Sequence, residues 1–218
     1  AGTVKVYEND GGSWVQLGST IYGDNEQDYL GYSVSLNDAG DRVFAGAPEG
    51  DIYGENSGYV RAFEYIDGDW VQLGDDILGV CDNNCDLTEG VHLNAYFGRS
   101  VSTSGSGDRV AIGAYESSFL IYRAGYVQVY EYIDGDWLIM GNTLVGESSV
   151  DLSGEHVSLS SDGTIVAIGA TLNDGNGQDA GHVRVYNYLD ASELLGLPYC
   201  QGVPGCWRQM GQDIDGLQ

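Results

Sequence analysis

The chain has 218 residues, with 33 Asp and Glu against 8 Lys and Arg, a formal charge of −25 at pH 7. That balance repels phosphate backbones and anionic lipid surfaces, so it argues against nucleic acid as a partner, and no apolar run reaches the roughly 18 residues a membrane-spanning helix needs. Thirty-four glycines, 16 tyrosines and 4 tryptophans accompany only 3 prolines, and no window sustains a helical apolar period, so the expected class is all-β.

In chain order, the first strand-length phrase is a glycine followed by Val-x-Val-Tyr at residues 2–7, with Val4 and Val6 on one face and Tyr7 on the other. A Trp-x-x-Leu-Gly phrase follows at 14–18, a Gly-x-x-Val-Ser phrase at 31–35, and an apolar run ending in Gly-Ala at 43–47. The same four phrases return at 58–63, 70–74, 98–102 and 110–114, then at 125–130, 137–141, 154–158 and 166–170, and the first two once more at 181–186 and 207–211. Hairpin signals join the first two phrases at Ile66-Asp67-Gly68-Asp69 and Ile133-Asp134-Gly135-Asp136, where Asp-Gly accepts the positive φ of a two-residue turn. Four antiparallel strands per unit, apolar on both faces, bury themselves only by stacking on neighbours. The expected architecture is a β-propeller of four-stranded antiparallel blades, about three and a half of them in this chain.

The phrase Phe97-Gly98-x-Ser100-Val101-Ser102 followed by Val110-Ala111-Ile112-Gly113-Ala114 resembles the FG-GAP, or integrin-α-like, β-propeller repeat, and more closely its marine and algal surface-protein relatives. Residues 31–35 with 43–48, and 156–158 with 166–170, echo it. The resemblance implies calcium in the turn between the Val-Ser and Gly-Ala strands. Here those turns, 37–41, 104–108 and 160–163, offer too few oxygens for a calcium cage. It also implies blades at 31–79, 98–146 and 154–216, preceded by an outer half-blade at 1–23. The inner strands of that half-blade are expected either from chain continuing past Gln218 or from a second chain, by strand addition.

The cysteines form two close pairs, Cys81 with Cys85 and Cys200 with Cys206, each bracketing an insertion. Two small disulfide loops in an oxidising compartment suit this spacing; free thiols or one metal site built from all four are the alternatives. No apolar leader opens the chain, so a secreted form begins at Ala1 as a mature or trimmed terminus.

Strand alternation puts three loops of equal length, 48–57, 115–124 and 171–180, on one rim, where recognition is expected. The first offers Glu49, Asp51, Glu55 and Asn56. The third offers Asn173 and then Asp174, Asn176, Gln178 and Asp179, whose alternating oxygens suit calcium but lack a downstream bidentate Glu; a solvated turn is the alternative. The middle loop presents Phe119, Leu120, Ile121 and Tyr122, an apolar patch either covered by the Cys81–Cys85 insertion or kept for a partner. Of the histidines, His92 falls in an insertion, and His156 and His182 fall in strands, where packing is their expected role. No nucleophile elbow, zinc-protease helix or phosphate loop is present.

The sequence therefore reads as a secreted, non-catalytic binding, adhesion or scaffold module, taking a protein or glycan at the long-loop rim or assembling into a filament, with calcium the one candidate cofactor. A carbohydrate-active enzyme using rim carboxylates is the competing reading.

Overall fold

A computed structural model of the chain describes residues 1–52, 54–79, 94–193 and 205–216. All of its regular structure is β. A hairpin of β1 (Thr3–Asp10) and β2 (Ser13–Tyr22) is followed by three antiparallel sheets. The first holds β3 (Ser33–Leu36), β4 (Arg42–Ala47), β5 (Tyr59–Ile66), β6 (Asp69–Gln72) and β7 (Ile77–Leu78). The second holds β8 (Ser100–Thr103), β9 (Arg109–Ala114), β10 (Tyr126–Ile133), β11 (Asp136–Ile139) and β12 (Leu144–Val145). The third holds β13 (Ser153–Leu159), β14 (Ile165–Ala170), β15 (His182–Asp190), β16 (Gly205–Gln209) and β17 (Ile214–Asp215). Strands pair in chain order in each, and the outer edge is one strand broken in two, as β6 and β7 both pair with β5. The break falls at Gly74, whose φ of 73° is a left-handed value.

The hairpins form as the Asp-Gly signals require. Ile66 pairs with Asp69 across Asp67 (φ 52°) and Gly68 (φ 93°), and Ile133 with Asp136 across Asp134 and Gly135, positive φ at both turn residues in each case.

Three apolar cores lie between consecutive sheets. Val4, Val6 and Ile21 meet Val43, Ala45 and Phe63; Phe44, Val60 and Ile77 meet Phe97, Val110 and Ile112; Val127, Val129 and Met140 meet Val166, Ile168 and Trp207. The first and second sheets are thus covered on both faces, and the hairpin and the third sheet on one, a stacking that makes the architecture propeller-like. The small residues of the repeat mark the closest approaches. A Cβ on Gly46 would stand 2.1 Å from the Gly98 carbonyl, and one on Gly113 2.0 Å from that of Gly154. Each innermost strand has a free axial edge, and neighbouring serines satisfy part of it: the Thr103 N–H donates to Ser35 Oγ at 3.1 Å and the Leu159 N–H to Ser102 Oγ at 2.9 Å.

Trp70, Trp137 and Trp207 lie on the outer-edge strands β6, β11 and β16 and turn toward the preceding sheet. Trp207 is buried, and Trp70 and Trp137 pack against the preceding core.

Candidate ligand-binding mouth at the long-loop rim

Gly31, Gly98 and Gly154 open the three innermost strands, each with a φ of 90°. A Cβ at Gly98 would lie 2.7 Å from the Tyr59 carbonyl, so only glycine lets the chain turn in against the sheet before it. The next residue is Tyr32, Arg99 and Glu155 respectively, and this equivalence brings three different chemistries together near the axis.

The Arg99 guanidinium lies 4.6 Å from the Tyr32 ring centre and 5.2 Å from that of Tyr115, while its Nη2 stands 3.5 Å from Glu155 Oε1. Glu155 is fixed in turn, because Thr171 Oγ1 donates to its Oε2 at 2.6 Å. Tyr96 packs on Tyr115 with ring centres 5.6 Å apart. Beside them Arg123 pairs with Glu116 at 2.7 Å. The Nε atoms of Arg99 and Arg123 are both buried and make no hydrogen bond. Burial, and secondarily the Glu116 carboxylate, push the Tyr96 and Tyr115 phenols above their ordinary value, so both are neutral donors at pH 7. The mouth thus brings together aromatic rings, a partly exposed guanidinium, a carboxylate and hydroxyls.

The residues singled out in the sequence are spread more widely. Asp174 Oδ1 accepts from the Asp179 N–H at 2.8 Å, Asn173 Oδ1 from the Gly175 N–H at 2.8 Å, and the Asn176 side-chain amide donates to the Gly216 carbonyl at 2.9 Å. Asn173 and Asp174 thus serve the loop's own backbone, Asn176 bonds to the chain after β17, and Gln178 is exposed. In the first loop Asp51 accepts from the Asn56 N–H at 2.8 Å. The Val-Ser to Gly-Ala turns are capped the same way, with Asn37 Oδ1 accepting from the Arg42 N–H and Ser160 Oγ from the Ile165 N–H, both at 2.9 Å. Phe119 turns inward onto the Tyr126 ring at 5.8 Å and Ile121 is half-buried, whereas Leu120 and Tyr122 are 68% and 65% exposed. Cys206 is disulfide-bonded; Cys81, Cys85 and Cys200, like His92, lie outside the described residues. His156 is exposed on β13.

His182 is buried as expected, yet its neighbours are ionic. With Glu147 and Asp213 it is the one group of three ligating side chains among the described residues whose donor atoms lie within 4.8 Å of one another. Neither this group nor the Arg99 mouth was visible as a site in the sequence. The available signal was substitution at fixed repeat positions: Tyr32, Arg99 and Glu155 after an unchanging glycine, and Tyr59, Tyr126 and His182 at the start of the third strand.

No protein-family model matches this sequence, and no curated protein matches it. Among solved structures the chain is similar to a candidate 6-phosphogluconolactonase from Bacteroides uniformis, with 14% identity, a TM-score of 0.55, and 98% of this chain aligned to 48% of that one. It is also similar to the complex of KlAtg21 with the coiled-coil of AgAtg16, with 13% identity, a TM-score of 0.53, and 84% of this chain aligned to 46% of that one. The chain therefore spans about half the length of the structures it matches. At these identities the likeness is one of fold, a propeller-like all-β fold. It corrects the expectation that the chain is no enzyme. That expectation rested on missing catalytic motifs, but a candidate lactonase is built on this fold, so fold and motif together do not exclude catalysis. The second likeness shows the fold presented to a protein partner.

Proposed function

We propose that the chain is a recognition module that binds a neutral glycan at the axial mouth of the long-loop rim. The observation that carries this reading is Arg99, a partly exposed guanidinium held between the Tyr32 and Tyr115 rings and facing Glu155. Sugar rings present C–H faces that lie on aromatic rings and paired hydroxyls that both donate and accept. An arginine–glutamate pair between tyrosines meets all three demands. The charge of −25 disfavours polyanionic glycans through long-range repulsion. A secreted adhesion or matrix role suits such a mouth, and the bonded state of Cys206 suits an oxidising compartment.

The test is titration with neutral and acidic oligosaccharides, following the ring resonances of Tyr32, Tyr96 and Tyr115. Neutral sugars should shift them, and Arg99→Ala should weaken binding at least tenfold while the melting temperature holds. Release of reducing ends from the same sugars distinguishes turnover from binding alone. Failure of every neutral sugar to bind, or binding unaltered in Arg99→Ala, sinks the reading.

A further inference from the structure

A second set of side chains, on the same rim but away from the mouth, has a different chemistry. Glu147 follows β12, the last strand of the second sheet; His182 begins β15, and Asp213 precedes β17, both in the third sheet. The His182 side chain is 3% exposed, and its Nδ1 makes no hydrogen bond while standing 3.9 Å from Glu147 Oε1 and 3.7 Å from Asp213 Oδ2.

The repeat supplies an internal comparison. In the first sheet Asp24 and Asp76 flank Arg61 as Glu147 and Asp213 flank Arg184, with the arginine bonded to both carboxylates in each case. The clamp alone is therefore a structural ion-pair arrangement. What differs is the aromatic position. In the first sheet it is Tyr59, whose hydroxyl donates to Asp28 at 2.9 Å. In the third it is His182, and Asp151, the counterpart of Asp28, is already taken by the Ser148 N–H at 2.9 Å and the Asn173 side-chain amide at 3.2 Å. Replacing tyrosine by histidine here leaves a buried ring nitrogen directed at two carboxylates and bonded to neither.

We propose that Glu147, His182 and Asp213 bind one divalent first-row transition ion, Zn²⁺ being the best match, and that the ion ties the exit of the second sheet to the third. Ligands on a tetrahedral zinc stand about 3.4 Å apart, so the two histidine–carboxylate separations close on one ion with small side-chain shifts. An imidazole with two carboxylates suits zinc and its neighbours, whereas calcium demands six or more oxygens and magnesium an oxygen shell. The carboxylates are oriented from behind: Asp213 Oδ1 accepts from Arg184 Nε at 2.8 Å and Gln209 Nε2 at 2.6 Å, and Glu147 Oε1 from the Asn173 amide at 3.1 Å. One arginine charge against two carboxylates leaves an excess of negative charge beside the ring, as a cation site requires.

The experiment uses the oxidised full chain, freed of metal by chelator and dialysed, with Zn²⁺ alone as the probe. One Zn²⁺ should bind per chain, raise the melting temperature, and shift the ¹⁵N resonance of His182 Nδ1; Co²⁺ should give the visible bands of tetrahedral coordination. His182→Tyr, which copies the first sheet, and Asp213→Asn should each weaken binding at least tenfold. Asp174→Asn should leave it unchanged. If His182→Tyr does not fold, the His182 resonance in the unaltered chain decides. The proposal is overturned if no Zn²⁺ binds, if Zn²⁺ shifts His156 and not His182, or if the two variants bind as the unaltered chain does.

Discussion

Trp137 Nε1 donates to the carbonyl of Leu73, 2.9 Å away in the preceding sheet. The same bond runs from Trp70 to Leu17 at 2.8 Å and from Trp207 to Met140 at 2.7 Å. Each indole also covers the glycine that follows its acceptor: a Cβ on Gly74 would meet Trp137 Cδ1 at 3.0 Å. Losing one such bond while leaving a half-buried carbonyl unpaired costs about 1–2 kcal/mol. Trp137→Phe should therefore lower the urea unfolding free energy by about that much. Trp14, at 71% exposure, is the internal control, and Trp14→Phe should stay within about 0.5 kcal/mol of the unaltered chain.

The Gly-Ala phrase makes a sharper contrast. Gly46→Ala and Gly113→Ala each drive a methyl into a neighbouring carbonyl and should cost more than about 3 kcal/mol or prevent folding. The third copy, Gly169, has its nearest neighbour 3.7 Å from a Cβ and no positive φ. Gly169→Ala should be neutral or stabilising by up to about 1 kcal/mol, read by thermal melting.

At the mouth, Arg99→Lys keeps the charge and discards the plane that lies between Tyr32 and Tyr115. Neutral-sugar affinity should fall at least tenfold, as measured calorimetrically, with stability changed by less than about 1 kcal/mol because the Glu155 pair is partly exposed. Affinity preserved in Arg99→Lys would show that charge alone carries recognition.

Asp162 is the group most clearly marked for acid titration. The Ser160 hydroxyl, then the Thr164 N–H and hydroxyl, all donate to its Oδ1 and hold its pKa near about 2. Because the folded value lies below the unfolded one, its stabilising contribution is complete above the ordinary carboxylate range and is lost as pH falls toward about 2. Carboxyl ¹³C NMR should show this midpoint, and Ser160→Ala should move it upward.

Where the sequence repeats, it is a good guide to structure. The Asp67-Gly68 turn, the strand phrases and the alternation of Val60 and Ala62 with Arg61 follow from backbone sterics and period-two burial, which are local. The tryptophans were harder, because Trp137 is an edge residue in its own sheet and becomes an inter-sheet donor only once Leu73 is brought beside it. The sites escaped for a related reason. Arg99 is a lone charge within the Phe97-Gly98-Arg99-Ser100-Val101-Ser102 phrase, and its partners Tyr32, Tyr115 and Glu155 lie far from it in the chain. Oxygen-rich loops such as 173–179 drew attention instead, yet much of their side-chain oxygen is occupied locally by turn N–H groups.

At the short-loop rim, opposite the mouth, one turn from each sheet meets its counterparts. The Asp38 N–H donates to the Gly105 carbonyl at 3.0 Å, the Gly105 N–H to the Ser161 carbonyl at 2.7 Å, and the Ser161 hydroxyl to Asp38 Oδ2 at 2.9 Å. A side chain at Gly105 would strike both partners. This triangle ties the three sheets to one another through turns far apart in sequence, so loosening any one of them frees the other two as well.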